Sequence, residues 1–376
     1  KALRSLGLAF RDGIVDGLKQ RALGHGEVRW FATPRRLAVL IQQVDLHSAE
    51  QMVEVLGPPL ERARDEQGNW TAATAGFARK QGVEPPQLIT IDTPKGQRLG
   101  VRTTVPGVNT RDALHAIIHS SIEALPIPRR MRWGASRVEF VRPVHWVVVM
   151  LGKDCVPGEV LGVASGNTSR GHRFLSSGPI GLGAPEQYEA ALEGARVLAC
   201  FEKRRGIICA QVEAQARNLG ATAVIDPDLL DEVTGLVEWP VALTGSFEAR
   251  FLAVPPEALI SSMKEHQKYF HVVDGDGKLM PHFITVANIE SADPQQVIAG
   301  NERVIRPRLS DAAFFFDTDK KTSLEARLPA LANILFQQKL GTLLDKTGRV
   351  SKLAAALAPA VGARVELAQR AALLCK

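Results

Sequence analysis

Apolar and polar positions alternate along this chain in two rhythms. Leu3, Leu6, Phe10, Ile14 and Leu18 recur at three- or four-residue intervals, the stripe of an amphipathic helix over 1–24 that Gly24-His25-Gly26 ends. The first residues read as the interior of a helix, so a strand is expected ahead of them. Glu27–Ala32 and Arg35–Val44 then read as two strands joined at Thr33-Pro34. Gly57-Pro58-Pro59 breaks the pattern, Asp65–Asn69 reads as a turn, Thr74–Gln81 as a short basic helix, and the run from Pro85-Pro86 to Gly107 as hairpins. Arg111–Ala124 is helical, closed by Pro126 and Pro128. Val144–Leu151 is a continuous β-branched run, the mark of a strand buried on both faces. Tyr188–Cys200 reads as a helix leading to a short apolar segment, and Phe201–Leu219 as a long helix ended at Gly220.

Leu229–Ala287 reads as one continuous unit. Val233–Leu243 alternates well enough for a strand running into Trp239-Pro240, which favours an edge, a bulge or a strand start. Val254-Pro255-Pro256-Glu257 opens a helix over Ala258–Tyr269, with Glu257 at the positive end of its dipole. Tyr269–Val273 and Met280–Ala287 flank Asp274-Gly275-Asp276-Gly277, a strong hairpin signal. Phe314, Phe315 and Phe316 are expected to anchor a domain edge. From Thr322 the periodicity is helical to the end, with Thr322-Ser323-Leu324-Glu325 at capping-box spacing and Pro329 kinking or separating two helices.

Composition changes the picture little. The 376 residues favour two or three domains, and 45% hydrophobic with 23% charged residues describes a globular chain with material for real cores. A net charge of +6 permits a polyanionic partner without demanding one, so the distribution of charge matters more than its sum. Cys155, Cys200, Cys209 and Cys375 are scattered, without CxxC spacing or a nearby histidine pair, as expected of reduced thiols in a cytoplasmic protein. No apolar run approaches membrane-spanning length and no signal peptide is visible.

Familiar catalytic patterns fail one by one. Gly341–Thr347 lacks the second glycine of a phosphate loop. Asp274 and Asp276 begin like a calcium loop, but Lys278, Leu279 and Thr285 stand where oxygen donors, a glycine and a glutamate are needed. His266 and His271 are five apart, which breaks the spacing of a helical zinc pair. None of the nine histidines is followed by aspartate, so no His-Asp metal centre is expected. Basic clusters remain. Arg35 and Arg36 sit at the first hairpin, as solvated arginines or as a phosphate contact. Arg129, Arg130, Arg132, Arg137 and Arg142 stand against Glu139 alone, with Trp133 and Phe140 interleaved, a mixture that suits a nucleic-acid backbone and stacked bases or else rims a core. Arg170, His172 and Arg173 form a basic loop, and Arg303, Arg306 and Arg308 lie within six residues.

EVTGLVEWPVALTGSF, PPEALISSMKEHQKYF and GNERVIRPRLSDAAFFF resemble the β subunit of the bacterial heterotetrameric glycyl-tRNA synthetase. TPRRLAVLI, GFARKQG, MRWG, FVRPVHW, TSRGHRF and KLGTLLDKTGRV extend the resemblance along the chain. It implies a multidomain α+β or mixed α/β fold: a small N-terminal α/β domain over 1–105, a central mixed α/β domain over 106–316 and the beginning of a helical HD-type domain over 317–376. The central domain is similar in outline to the editing module of the phenylalanyl-tRNA synthetase β subunit. The resemblance also implies the strand ahead of residue 1 and further domains beyond 376. By it, this chain is a tRNA-binding accessory subunit with no cofactor of its own. The α subunit, in an α2β2 tetramer, uses ATP with magnesium to activate glycine, and the whole charges tRNA(Gly). The thirteen basic-cluster residues are then the candidate tRNA contacts, with no catalytic or metal-binding residue. An aminoacyl-ester hydrolase and a pure scaffold for the α subunit are the alternatives.

Overall fold

The opening stripe is a helix, α1 (Ala2–Lys19), and it packs across a two-stranded hairpin of β1 (Val28–Thr33) and β2 (Arg36–Ile41). This is a computed structural model that describes residues 2–65, 67–94 and 96–376. The described chain forms two compact units. One holds Lys1–Ala210, Asp226–Val241 and Ala287–Glu290, and the other Gln211–Ile225, Ala242–Val286 and Ser291–Lys376.

In the first unit β3 (Gln51–Pro59) runs through Gly57-Pro58-Pro59, where the sequence suggested a break. Prolines are tolerated because β3 lies at the edge of its sheet, and a Cβ on Gly57 would stand 2.6 Å from Phe77 of α2 (Ala72–Lys80). β4 (Ile89–Thr93) and β5 (Gly96–Val105) complete an antiparallel sheet in the order β3-β5-β4. Asn109 caps α3 (Thr110–Glu123) by accepting from the Arg111 N–H at 2.9 Å. Ile14 and Leu18 of α1 meet Ala113 and Ile117 of α3, and the helices approach so closely that a Cβ on Gly17 would lie 2.5 Å from Ile117.

Val144–Leu151 is not one buried strand. Val147–Val148 pairs in parallel with Ser165–Gly166, Met150–Leu151 turns back onto Asp154–Cys155, and only Val149 is buried. A β-branched run favours extended backbone, but its partners here are short and lie at different registers, so the ladder cannot continue. α4 (Tyr188–Gly194) and α5 (Phe201–Asn218) follow as expected. Val233–Leu243 is corrected too. Asp226 accepts from the Leu229 N–H at 2.9 Å and Pro227 occupies the first turn, so α6 (Pro227–Thr234) takes in Val233 and Thr234, and the strand begins at Val241.

In the second unit the four-stranded sheet has the order 222–223, 270–273, 279–287, 241–246, with the expected Asp274–Gly277 hairpin between its central strands. Leu259, Met263, Tyr269, Phe283, Ile305 and Leu309 form its core. The helix α7 (Pro256–Ser261) widens into a π-helical turn over Ser262–Gln267 and ends at Lys268 with φ 61°. α8 (Pro294–Lys320) carries Pro307 in its interior and packs Ile305 and Leu309 inward. Phe316 packs on this core, but Phe314 and Phe315 are each 63% exposed, against the expectation that all three are anchors. A helix turns successive residues by about 100°, so three adjacent rings cannot share one face. Ser323, not Thr322, caps the next short helix. Helices 343–357 and 365–374 pack on each other, and Leu335–Gln337 pairs with Gly341–Thr342 as a small hairpin inside the segment expected to be all-helical.

His271 of this sheet is held below its ordinary 6.5 by burial and by the charge of Lys264. A base whose folded pKa lies below the unfolded one binds more protons unfolded, so stability rises with pH through that window. Urea midpoints should therefore fall as pH drops below about 6.5. His271→Gln should reduce that fall, and an unchanged pH dependence would assign it elsewhere.

Candidate functional site

The turn Thr33-Pro34-Arg35-Arg36 closes the β1–β2 hairpin, with Thr33 paired to Arg36 and the Arg35 N–H donating to Thr33 Oγ1 at 3.3 Å. From this corner three side chains converge on Glu238, which is 1% exposed. Thr33 Oγ1 donates to its Oε1 at 2.6 Å, Arg36 Nη2 stands 3.1 Å from the same oxygen, and Arg35 Nη1 stands 3.5 Å from Oε2. The same guanidinium groups reach the basic loop: Arg36 Nη1 donates to the Arg170 carbonyl at 2.8 Å and Arg35 Nη1 to that of Gly171 at 3.0 Å. Each also lies 5.6 Å from the centre of the Trp146 ring. Asn288 Oδ1 accepts the N–H groups of Glu238 and Trp239 at 2.6 and 3.1 Å, which fixes the loop bearing the carboxylate.

A second buried cation braces this corner. Arg204 is 0% exposed and donates to the carbonyls of Ala32 at 2.7 Å, Thr234 at 3.1 Å and Ala199 at 3.3 Å. Burial pulls its pKa down to about 10, with Glu238 opposing that shift, so it remains charged near neutrality. Tyr188, beside Arg36, is pushed up to about 12 by burial and stays a neutral phenol.

The corner forms the polar end of a cleft of about 1330 Å³ within the first unit. Apolar side chains of α1, β2, α3 and the 140–152 segment line the rest, among them Leu6, Val39, Ile118 and Val148. Arg35, Arg36, Arg173, Ser169 and Tyr188 line the polar end. The Arg36 side chain is 3% exposed, and its Nε has no hydrogen-bond acceptor among the described residues.

The remaining basic residues separate by surroundings. Arg130 caps the end of α3 through the carbonyls of Ile122 and Glu123, at 3.2 and 2.8 Å. Arg132 pairs with Glu139 at 2.6 Å and Arg306 with Glu248 at 2.6 Å, both on the surface. His172 is buried: its Nδ1 accepts from the Phe174 and Leu175 N–H groups, and its Nε2 has no partner among the described residues. Arg129, Arg137, Arg142, Arg170 and Arg173 are exposed in the first unit, and Arg303 and Arg308 in the second, without an ion pair among the described residues. Trp133 and Phe140 are half-buried beside the first group. Glu238, Thr33, Trp146 and Arg204 were not singled out from sequence. A lone glutamate between Val237 and Trp239 was the one available sign, because an acid inside an apolar run needs a partner.

The family model for the glycyl-tRNA synthetase beta subunit matches residues 1–376, the whole chain. The chain belongs to that family. Among curated relatives, the glycine–tRNA ligase beta subunit of Hahella chejuensis is 52% identical over 377 residues, covering 100% of this chain and 54% of the relative. Those of Chromohalobacter salexigens and Marinobacter nauticus are 52% and 51% identical, again over 100% of this chain and 54% of theirs. The chain thus spans about half the length of the curated relatives it matches. In this chain the Thr33–Arg36 corner lies in the stretch TPRRLAVLI and Glu238 in EVTGLVEWPVALTGSF, and both residue sets lie in the first unit. No helix among the described residues is long and apolar enough to cross a membrane, and no group of three or more potential metal ligands occurs among them.

Proposed function

We propose that this chain acts as the tRNA-holding part of a glycine–tRNA ligase β subunit, in the cytoplasm and in an α2β2 assembly with the α subunit. Family membership over the whole chain carries this reading. The assembly would form glycyl-adenylate from glycine and ATP with magnesium on the α subunit, then esterify tRNA(Gly). This chain would lower the barrier by positioning the acceptor rather than by supplying a nucleophile. Its tRNA contacts are proposed among the basic clusters. The exposed Arg129, Arg137, Arg142, Arg170, Arg173, Arg303 and Arg308 are free to meet phosphates, whereas Arg132 and Arg306 would exchange a surface carboxylate for one. Arg35, Arg36, Arg130 and His172 are engaged within the fold and would act by shaping the surface around the basic loop and the end of α3. The domain reading 1–105, 106–316 and 317–376 belongs to the same proposal, with a central part similar to an editing module and a terminal part that begins an HD-type domain.

The test is a titration of tRNA(Gly) against this chain and against the assembled enzyme across a salt series. The logarithm of affinity should fall linearly with the logarithm of salt, because each phosphate contact releases counterions. Absent or salt-insensitive binding by both would reject the RNA-holding role.

A further inference from the structure

We infer that Phe174 is a stacking platform for an unpaired nucleotide of RNA, with Arg170 and Arg173 beside it to meet the flanking phosphates. The proposal rests on the tRNA-holding role and narrows it, because it names single-stranded nucleotides as what this loop takes. Trp133 and Phe140, the aromatics that the sequence interleaves with arginines, are half-buried. Phe174 is 72% exposed, the one exposed aromatic side chain among the described residues of the first unit.

A lone exposed ring is ordinary on a protein surface. What sets Phe174 apart is how its backbone is held. Thr168–Arg170 pairs antiparallel with Pro179–Gly181, so the segment between them is a hairpin loop. Arg36 and Arg35 donate to the Arg170 and Gly171 carbonyls at its base. His172 is buried beneath the tip, and its Nδ1 accepts the N–H groups of Phe174 and Leu175 at 3.3 and 3.2 Å. The His172 N–H donates to the Ala195 carbonyl at 2.9 Å, and the Ser176 N–H to the His172 carbonyl at 3.1 Å. Packing is tight here, since a Cβ on Gly171 would clash with the Ser176 side chain and stand 2.9 Å from that of Ala195. A ring fixed in this way is already placed before a ligand arrives, so little ordering entropy is lost on binding.

The charge around the ring points to the ligand. No acidic residue stands between Val160 and Pro185, and Arg170 and Arg173 are exposed without an ion pair among the described residues. The Arg173 guanidinium lies 5.7 Å from the centre of the Phe174 ring. A phosphate at Arg173 therefore brings a neighbouring base within reach of the ring, and a nucleotide supplies both the anion and the flat apolar face. A duplex would satisfy the arginines and leave the ring in water, because its bases are already stacked on one another. Stacking on a ring face reads no base edge, so the site tolerates any base.

Filter binding of tRNA(Gly) to the enzyme assembled from the full-length β subunit and the α subunit, across a salt series, tests this. Phe174→Ala should weaken binding about tenfold at every salt concentration and leave the slope of log affinity against log salt unchanged, since a stacked base releases no counterion. Phe174→Trp should keep or tighten binding. Phe174→Leu keeps an apolar side chain but has no ring, and should lose affinity as alanine does. With p-benzoylphenylalanine in place of Phe174, irradiation should crosslink the subunit to an unpaired nucleotide of tRNA(Gly). Unchanged affinity in Phe174→Ala, while the unsubstituted enzyme binds with the expected salt slope, overturns the platform and leaves the tRNA-holding role standing. Absent or salt-insensitive binding by the unsubstituted enzyme overturns both. Full binding by Phe174→Leu overturns the stacking contact, as does a crosslink to a base-paired stem or to the α subunit, the last in favour of a docking surface between subunits.

Discussion

Glu238→Ala should be the most damaging single substitution in the first unit, lowering stability by about 3–5 kcal/mol in urea or guanidinium unfolding. The reason lies in what remains. Arg36 keeps a 3% exposed side chain, Thr33 Oγ1 loses the acceptor at 2.6 Å, and a buried guanidinium stays without a counter-charge. Glu238→Gln should cost less, because its amide oxygen still accepts from Thr33 and Arg36, though it leaves Arg36 uncompensated. Arg35→Ala should cost little beside either, since Arg35 stands 3.5 Å from the carboxylate and is part-exposed. A loss under about 1 kcal/mol for Glu238→Ala would show that the corner reorganises or admits water.

Replacing Arg129, Arg137 and Arg142 together with alanine should weaken tRNA(Gly) binding by the assembled enzyme and leave the fold intact. These three side chains are exposed and carry no ion pair among the described residues, so their removal takes away long-range attraction without orphaning a carboxylate. For every arginine that meets a phosphate, its replacement should reduce the slope of log affinity against log salt by about one. Arg132→Ala is the contrasting control, because Arg132 already neutralises Glu139 at 2.6 Å and its removal exposes that acid. Filter binding at three salt concentrations separates the outcomes, and an unchanged slope in the triple variant moves the RNA surface elsewhere.

The features legible in the sequence are those made by neighbours in the chain. The α1 stripe, the Thr33-Pro34 hairpin and the Asp274–Gly277 turn each depend on a few adjacent residues, and each is found where the pattern put it. Where a local signal met a stronger local one, the stronger prevailed: the Asp226-Pro227 cap recruits Val233 into a helix despite its alternating surroundings. Where the decisive contact is distant, the pattern was silent. Thr33 and Glu238 lie 205 positions apart, and nothing in either neighbourhood names the other. Equally, a cluster of arginines looks uniform in sequence, while in the fold Arg130 caps a helix, Arg132 pairs with Glu139 and Arg137 faces solvent. Similarity over the whole chain supplied the family, and the geometry divided the arginines between framework and open surface.

In the proposed division of labour this chain holds tRNA and does not activate glycine. Two assays on one preparation of the assembled enzyme carrying Arg129→Ala, Arg137→Ala and Arg142→Ala test it. Glycine-dependent ATP–pyrophosphate exchange should match the unsubstituted enzyme, while charging of tRNA(Gly) at low tRNA concentration should fall about tenfold or more, the effect of losing roughly 1.4 kcal/mol of binding. Equal loss in both assays, or no loss in either, would contradict it.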